Sequence, residues 1–365
     1  MGQITTQVRE FTKQGGIFRD HKGLWWLFSG PMRWQTEPSP SHPSIYAPDF
    51  FLQNKEPWLV FEKVESASVG ELQLLLENRS EGALYNQKNL RHFLTQHQQH
   101  LDWNWQPPNR QVFDAQFEEL TKQFQMGKMS KAVPLTFERS PIVPTEMMLQ
   151  QMLHRLLLTD DGCFPYGFWD EHQGMLGVSP EVLFRCEGKV ISTTALAGTR
   201  ESSLDKNLLN DQKEVLEHQL VVKDITEALQ EYGAVKSGTT REWSIGSLTH
   251  LKTPIELHAD HKIEFEKIVE SLHPTSALGV YPRQRSWTWL KEQPEAKIRN
   301  RYGAPFGLKH PDGTSETVVA IRNFQWNDQG TLLASGCGIV CESQLESEWA
   351  ELRLKRSFVK KMLEV

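Results

Sequence analysis

The spacing of apolar and polar residues changes period along the chain, and those changes mark its elements. "PWLVFEKV" (57–64) and "GELQLLLE" (70–77) alternate in parts, which predicts two strands. "TEMMLQQMLHRLLL" (145–158) has a helical period and is closed by "TDDG". "GMLGVSPEVLFRCEGKVISTTALAG" (174–198) reads as strand, turn, strand, turn. "NDQKEVLEHQLVVKDITEALQEYG" (210–233) is the clearest helix, with Val221, Ile225, Ala228 and Tyr232 on one stripe and Gly233 past its end. Strands are predicted at "SLTHLKTPIEL", "ETVVAIRNFQW" and "GTLLASGCGIV", with "HPDGTSE" as a hairpin turn. The last helix carries two stripes. Trp349, Leu352, Arg356, Val359 and Leu363 form a mostly apolar one, while Glu348, Glu351 and Lys355 form a charged one.

Strands and helices do not alternate regularly, so the expected class is α+β with antiparallel sheet and not a doubly wound fold. Segment 35–48, "QTEPSPSHPSIYAP", reads as a surface loop, and residues 79–125 as mainly helical or irregular. Nothing marks a linker, a repeat or a low-complexity tract, so residues 1–365 are read as one domain.

Composition narrows the partners. The 40 basic and 46 acidic residues give a formal net charge of -6, without the basic excess of a nucleic-acid binder. A small anionic ligand would need a few positive groups concentrated in one cleft. The four cysteines, Cys163, Cys186, Cys337 and Cys341, form no C-x-x-C pair. With no secretory apolar segment at the start, they read as reduced thiols of a cytoplasmic protein. No apolar run approaches the roughly 18 residues that span a bilayer, so no membrane partner is expected. "MGQITT" matches the myristoylation pattern at Gly2 and Thr6, but that pattern is short and common and is set aside.

Two helices present carboxylate together with lysine: Lys213 and Glu217 at i, i+4 on one, and Glu348, Glu351 and Lys355 on the other. Taken singly these are ordinary helix ion pairs. Taken together they suit a hydrated Mg²⁺, which commonly binds one or two carboxylates, an anionic ligand and waters. His258, Asp260 and His261 in "LHADHK" lack H-E-x-x-H spacing and a thiol pair, and read as surface loop. His97 and His100 read as solvated.

Seven segments then fall in a recognisable order: "GVSPEVLF", "TTALAGTR", "KEVLEHQLVVKDI", "LHPTSALGVYP", "RNRYGAPFG", "VVAIRN" and "SGCGIVCES…EWAELRLK". Together they closely resemble the chorismate-utilising enzymes, the family of isochorismate, salicylate, anthranilate and aminodeoxychorismate synthases. The resemblance covers residues 115–365, whereas 1–114 match poorly apart from "PWLVFE". It implies large antiparallel sheets with helices outside, and a small dianionic substrate, chorismate, with no obligatory protein partner. It implies that Glu217 and Glu351 hold Mg²⁺, supported by Glu348, and that the metal binds the ring carboxylate. Lys213 goes with the substrate-binding set. Arg322, Lys355 and backbone amides near Gly336 and Gly338 would take the enolpyruvyl carboxylate. Tyr302 would lie close by, Gly198 and Thr199 would let the backbone approach the ring, and His273 would hydrogen-bond beside the substrate.

Members of this family differ in what attacks the ring. Those that add water resemble one another in having a lysine base and, fifty residues later, a glutamate that protonates the departing hydroxyl. Here "KMSKAVPLTFE" supplies Lys131 and "SPE" supplies Glu181. Ammonia-using members carry glutamine at the lysine position. Aminodeoxychorismate synthases often carry a lysine nucleophile where this chain has Ala197. "TALAGT" and "LVVKDI" look most like the menaquinone-type isochorismate synthases, with siderophore-type members beside them. Salicylate synthases also keep the base lysine and stay open as an alternative, as do a catalytically silent chorismate-binding protein and, against the sign of Lys131, an ammonia-using anthranilate- or aminodeoxychorismate-type synthase. Three departures bear on this choice. Pro134 interrupts the strand after Lys131, where proline belongs at an edge or bulge; Lys131 is kept as the base, with Lys128 the fallback should the strand be displaced. "ALGVYP" replaces a paired-glycine stretch and is expected to bring Val280 and Tyr281 near the ring. "YGAPFG" places Phe306 where a smaller residue is commoner.

Overall fold

The computed structural model describes residues 10–77, 90, 94, 102–159, 162–202, 207–246 and 248–365. The myristoylation pattern, His97 and His100 lie outside the described residues. The first part of the chain forms β1 (Gly15–Arg19), β2 (Trp25–Gln35), β3 (Ser44–Tyr46), β4 (Trp58–Ala67), α1 (Val69–Leu76) and α2 (Arg110–Gln125). Next come β5 (Lys131–Ala132), β6 (Leu135–Ser140), α3 (Glu146–Leu156), β7 (Phe164–Trp169), β8 (Gln173–Ser179) and β9 (Val182–Glu187). β10 (Val190–Glu201), α4 (Gln212–Leu229), β11 (Gly233–Ser237), β12 (Arg241–Ile245), β13 (Leu248–Ala259) and α5 (Phe265–Leu272) follow. The chain closes with β14 (Val280–Tyr281), α6 (Ser286–Glu292), β15 (Pro305–Lys309), β16 (Ser315–Val319), β17 (Asn323–Asn327), β18 (Gly330–Gly336) and α7 (Leu345–Leu363).

Sixteen strands make one sheet, in the order β11-β13-β10-β9-β16-β15-β3-β4-β2-β1-β7-β8-β17-β18-β6, with β12 added on β13. Every pairing in it is antiparallel. β5 and β14 pair separately. One apolar cluster, with Phe18, Phe28, Phe61, Phe168, Phe306 and Leu308, is built mainly from strand side chains. Two others join strands to helices, Val221 and Ile225 of α4 in one and Val359 and Leu363 of α7 in the other. The architecture is α+β: a long sheet closing on its own side chains, with helices packed outside. No helix among the described residues is long and apolar enough to cross a membrane.

Several elements differ from the pattern reading. "GELQLLLE" is helical. Ser68 and Glu71 form a reciprocal capping box, with Ser68 N donating to Glu71 Oε2 at 2.7 Å and Glu71 N to Ser68 Oγ at 3.3 Å. Leu72 and Leu76, four apart, are buried, so the short alternation was one face of a helix. Segment 35–48 is not all loop, since Ser44–Tyr46 is a buried strand hydrogen-bonded between β15 and β4. "ETVVAIRNFQW" splits into β16 and β17 around Arg322, whose φ of 55° turns the chain. β16 pairs with β15 and β9, whereas β17 pairs with β8 and β18, far along the sheet. His258 lies in β13, exposed and bonded to Glu256, and not in a loop.

Candidate active site

The cleft lies where the two ends of the sheet approach each other under α4 and α7. Its lining includes Glu181, Gly198, Thr199, Glu217, His250, Tyr302, Arg322, Gly336, Gly338 and Lys355. α7 is fixed by Arg356, whose Nε donates to Glu138 Oε1 at 2.8 Å and whose Nη1 donates to Ser335 Oγ at 2.5 Å. That anchor holds the charged stripe of α7 in place. Lys355 reaches Glu351 Oε1 at 2.6 Å and donates to the Gly336 carbonyl at 2.8 Å.

α4 supplies the facing charges. Lys213 Nζ stands among three carboxylates: Glu214 Oε1 at 3.3 Å, Glu217 Oε2 at 3.0 Å and Glu348 Oε1 at 3.1 Å. Burial works against its ammonium, yet these carboxylates with Glu351 hold the proton well above the ordinary lysine range. Burial likewise opposes a charged Glu217, but Lys213, Lys131 and Lys355 prevail and hold it at about 2. Lys213 is therefore tied to the carboxylates and does not line the cleft, unlike the role expected for it.

Lys131 lies beside Glu217 of α4 despite Pro134. The break falls between β5 and β6, and β6 is the last strand of the sheet, where a proline does little harm. Lys131 is fully buried, with Nζ 3.2 Å from Glu217 Oε1 and 2.8 Å from the Ser276 carbonyl it donates to. Lys128 is exposed. Gly338 makes this approach possible: a Cβ there would stand 1.9 Å from Glu217 Oε1 and 2.8 Å from Lys131 Cε.

Glu181 follows β8 and is buried, with Ser179 Oγ accepting from its backbone N–H at 3.2 Å. Burial pushes its carboxyl up to about 7, against the pull of Lys131, Lys355 and Arg322. Arg322 is only 6% exposed, and its Nη1 has no hydrogen-bond partner among the described residues. A buried guanidinium nitrogen left without an acceptor is costly unless a ligand supplies one. Gly198 adopts φ +75°, and Thr199 N donates to Glu214 Oε2 at 2.9 Å, which fixes the turn at the end of the cleft.

His273 is not at the cleft. Its Nε2 donates to the Phe50 carbonyl at 2.7 Å, and burial pushes its pKa down to about 3. Val280 and Tyr281 do not line the cleft either; they pair with Ala132 and Lys131, and Ala277 and Leu278 form the wall instead. Phe306 is buried in the strand core. Sequence reasoning missed His250 and Glu214. His250 Nδ1 lies 3.2 Å from the Gly198 carbonyl and 3.1 Å from Thr199 Oγ1, and burial, then Arg322 and Lys355, pushes it down to about 3. A histidine inside a strand pattern gives no sign that it faces a cleft.

The family described as "Chorismate binding enzyme" matches residues 41–364. The chain belongs to that family. The match reaches back into the part of the chain whose own motifs were poor. Among curated chorismate binding enzymes, the chain is 28% identical over 267 residues to a salicylate biosynthesis isochorismate synthase of Pseudomonas aeruginosa, covering 70% of this chain and 55% of that one. It is 32% identical over 251 residues to the isochorismate synthase MenF of Bacillus subtilis, covering 64% of this chain and 50% of that one. The chain thus spans about half the length of these curated relatives. The solved structure of MenF, the menaquinone-specific isochorismate synthase from Escherichia coli, superposes with a TM-score of 0.77 at 19% identity, over 99% of this chain and 91% of that one. This chorismate binding enzyme shares its fold.

Proposed function

We propose that this chorismate binding enzyme is a Mg²⁺-dependent isochorismate synthase, adding water at C2 of chorismate as the C4 hydroxyl leaves. The observation that carries this reading is one cleft lined by Glu181, a buried carboxyl held up to about 7, together with Arg322, Lys355 and Glu217, with Lys131 Nζ 3.2 Å from that Glu217 carboxylate. In the proposed step an uncharged Lys131 takes a proton from the attacking water. The ring double bond shifts, and Glu181 gives its proton to the departing C4 oxygen. One water enters and one leaves, so the composition is unchanged, as an isomerisation requires. Ala197, which lines the cleft, has no nucleophilic atom for a covalent alternative. The relatives named isochorismate synthase support the same product. Purified protein incubated with chorismate and Mg²⁺, with the products separated by chromatography, tests the proposal. Isochorismate is expected. Salicylate, anthranilate formed with ammonia, or no turnover would each overturn it in favour of a different reading.

The donor set fits Mg²⁺ in kind, since the ion needs only one or two carboxylates and leaves its other positions to substrate and water. No ready-made group of three ligands is present among the described residues. Glu348 Oε2, however, is buried without a partner. Glu217 and Glu351 would hold the ion, with Glu348 behind them. Bound there, it would supply positive charge to the ring carboxylate and compete with the lysines for Glu217. Glu351→Gln should raise the Mg²⁺ concentration for half-maximal activity by at least about tenfold, the usual cost of disturbing even a supporting residue of a metal site. Full wild-type activity in excess chelator would remove the metal from the proposal.

Glu181 must be protonated to act, and the free protein holds its proton up to about 7. The expected kcat/KM therefore falls as pH rises through about 7, because this parameter reports groups of the free enzyme. Glu181→Gln should lose both the rate and that alkaline limb. A limb that survives in the variant belongs to another group.

A further inference from the structure

Lys131 is held mostly by residues outside its own strand. β5 has two residues, and Pro134 separates it from β6. Ala132 and Ile339 exchange backbone hydrogen bonds at 3.1 and 2.8 Å. The other supports come from the segment between α5 and α6. Tyr281 pairs with Lys131 and Val280 with Ala132, Ser130 N donates to the Tyr281 carbonyl at 2.8 Å, and Lys131 Nζ itself donates to the Ser276 carbonyl.

One carboxylate pins that segment at both ends. Asp224 of α4 is 2% exposed. Its Oδ2 accepts from Ser276 N at 2.8 Å. Its two oxygens also receive the Arg283 guanidinium, Oδ1 from Nε and Oδ2 from Nη2, both at 2.9 Å. Such a two-bond fork fixes orientation as well as distance. Arg283 Nη1 donates further to the Ser271 carbonyl at the end of α5. Ser276 thus gives its N–H to Asp224 and accepts from Lys131 with its own carbonyl. Asp224 lies two helical turns beyond Glu217, which takes the other side of Lys131 Nζ, so one face of α4 grips Lys131 directly and through the loop.

We propose that Asp224 is a positioning residue for Lys131, acting through Ser276 and Arg283; this rests on the reading of Lys131 as the base. Asp224 and Arg283 do not line the cleft, so their effect on substrate affinity is small. The carboxylate is required because both of its oxygens face donors. In Asp224→Asn, one of those positions becomes an NH₂ set against an N–H.

Asp224→Asn should lower kcat by up to about 100-fold, the scale of a 1 Å misplacement of a reacting group, with KM for chorismate within about twofold. Asp224→Glu, which keeps both acceptors, should recover part of the rate. A second measurement needs no turnover. Reductive methylation of the free protein, followed by peptide mass spectrometry, should label Lys131 several-fold faster in Asp224→Asn, while Lys355 labels at its wild-type rate. Unchanged Lys131 labelling overturns the proposal even if the enzyme makes isochorismate. Faster labelling of both lysines overturns it too, since Asp224 would then be merely structural. A wild type without turnover removes the functional reading alone, and the labelling still decides whether Asp224 holds Lys131.

Discussion

Lys131→Gln is expected to lower isochorismate formation by about 10²–10⁴-fold, the usual contribution of a positioned general base. Glutamine keeps a donor for the Ser276 carbonyl, so the bond observed at 2.8 Å has a replacement. Glu217 keeps Lys213 at 3.0 Å, so its charge is not left alone in the interior. The variant should therefore fold and bind chorismate to within a few-fold of wild type, because Lys131 contacts Glu217 and Ser276 and is not among the cleft-lining residues. Stopped-time product assays and calorimetric binding separate the two effects. Turnover at the wild-type rate would show that another group takes the proton. Exposed Lys128 is a poor heir, since nothing brings it to the cleft.

Arg322→Ala should weaken chorismate binding by about 2–5 kcal/mol, the usual cost of truncating one partner of a buried charge pair. The orphaned Nη1 marks where a carboxylate would complete the hydrogen bonding. Both residues carry a Cβ at φ 55°, so the backbone cost of that conformation is much the same before and after the change. The guanidinium also lies 5.3 Å from the Phe358 ring, whose loss as a partner is a smaller effect. Dissociation constants from calorimetry decide the matter, and an unchanged constant would place the carboxylate elsewhere.

Period and charge along the chain disclosed the helices that face the cleft and their paired stripes. α4 and α7 lie where the 3.6-residue pattern put them, and the motif resemblance picked out Lys131, Glu181, Glu217 and Arg322. Tertiary pairing was less legible. An apolar run such as "ETVVAIRNFQW" looks continuous because hydrophobicity does not record which neighbour each half will bond to, and the turn at Arg322 is imposed by those neighbours. The role of Val280 and Tyr281 was hidden for the same reason. Their partners are Ala132 and Lys131, far away in sequence, so local pattern carried no trace of the ladder. The capping box at Ser68, by contrast, was present as S-x-x-E and was outweighed by alternation over too few residues.

β1–β4 occupy the middle of the sheet, between β15 and β7, while the described lining of the cleft starts at residue 180. The described strands of the opening portion thus act as a keystone: they keep two opposing walls at a fixed span and supply no residue to the cleft lining. A keystone is judged by its shape and not by its chemistry. Selection on these strands would bear on backbone pairing and on the fit of Phe18, Phe28 and Phe61 into the core, leaving side-chain identity elsewhere free to drift. That freedom gives a physical reason why the recognised motifs crowd into the later two-thirds of the chain.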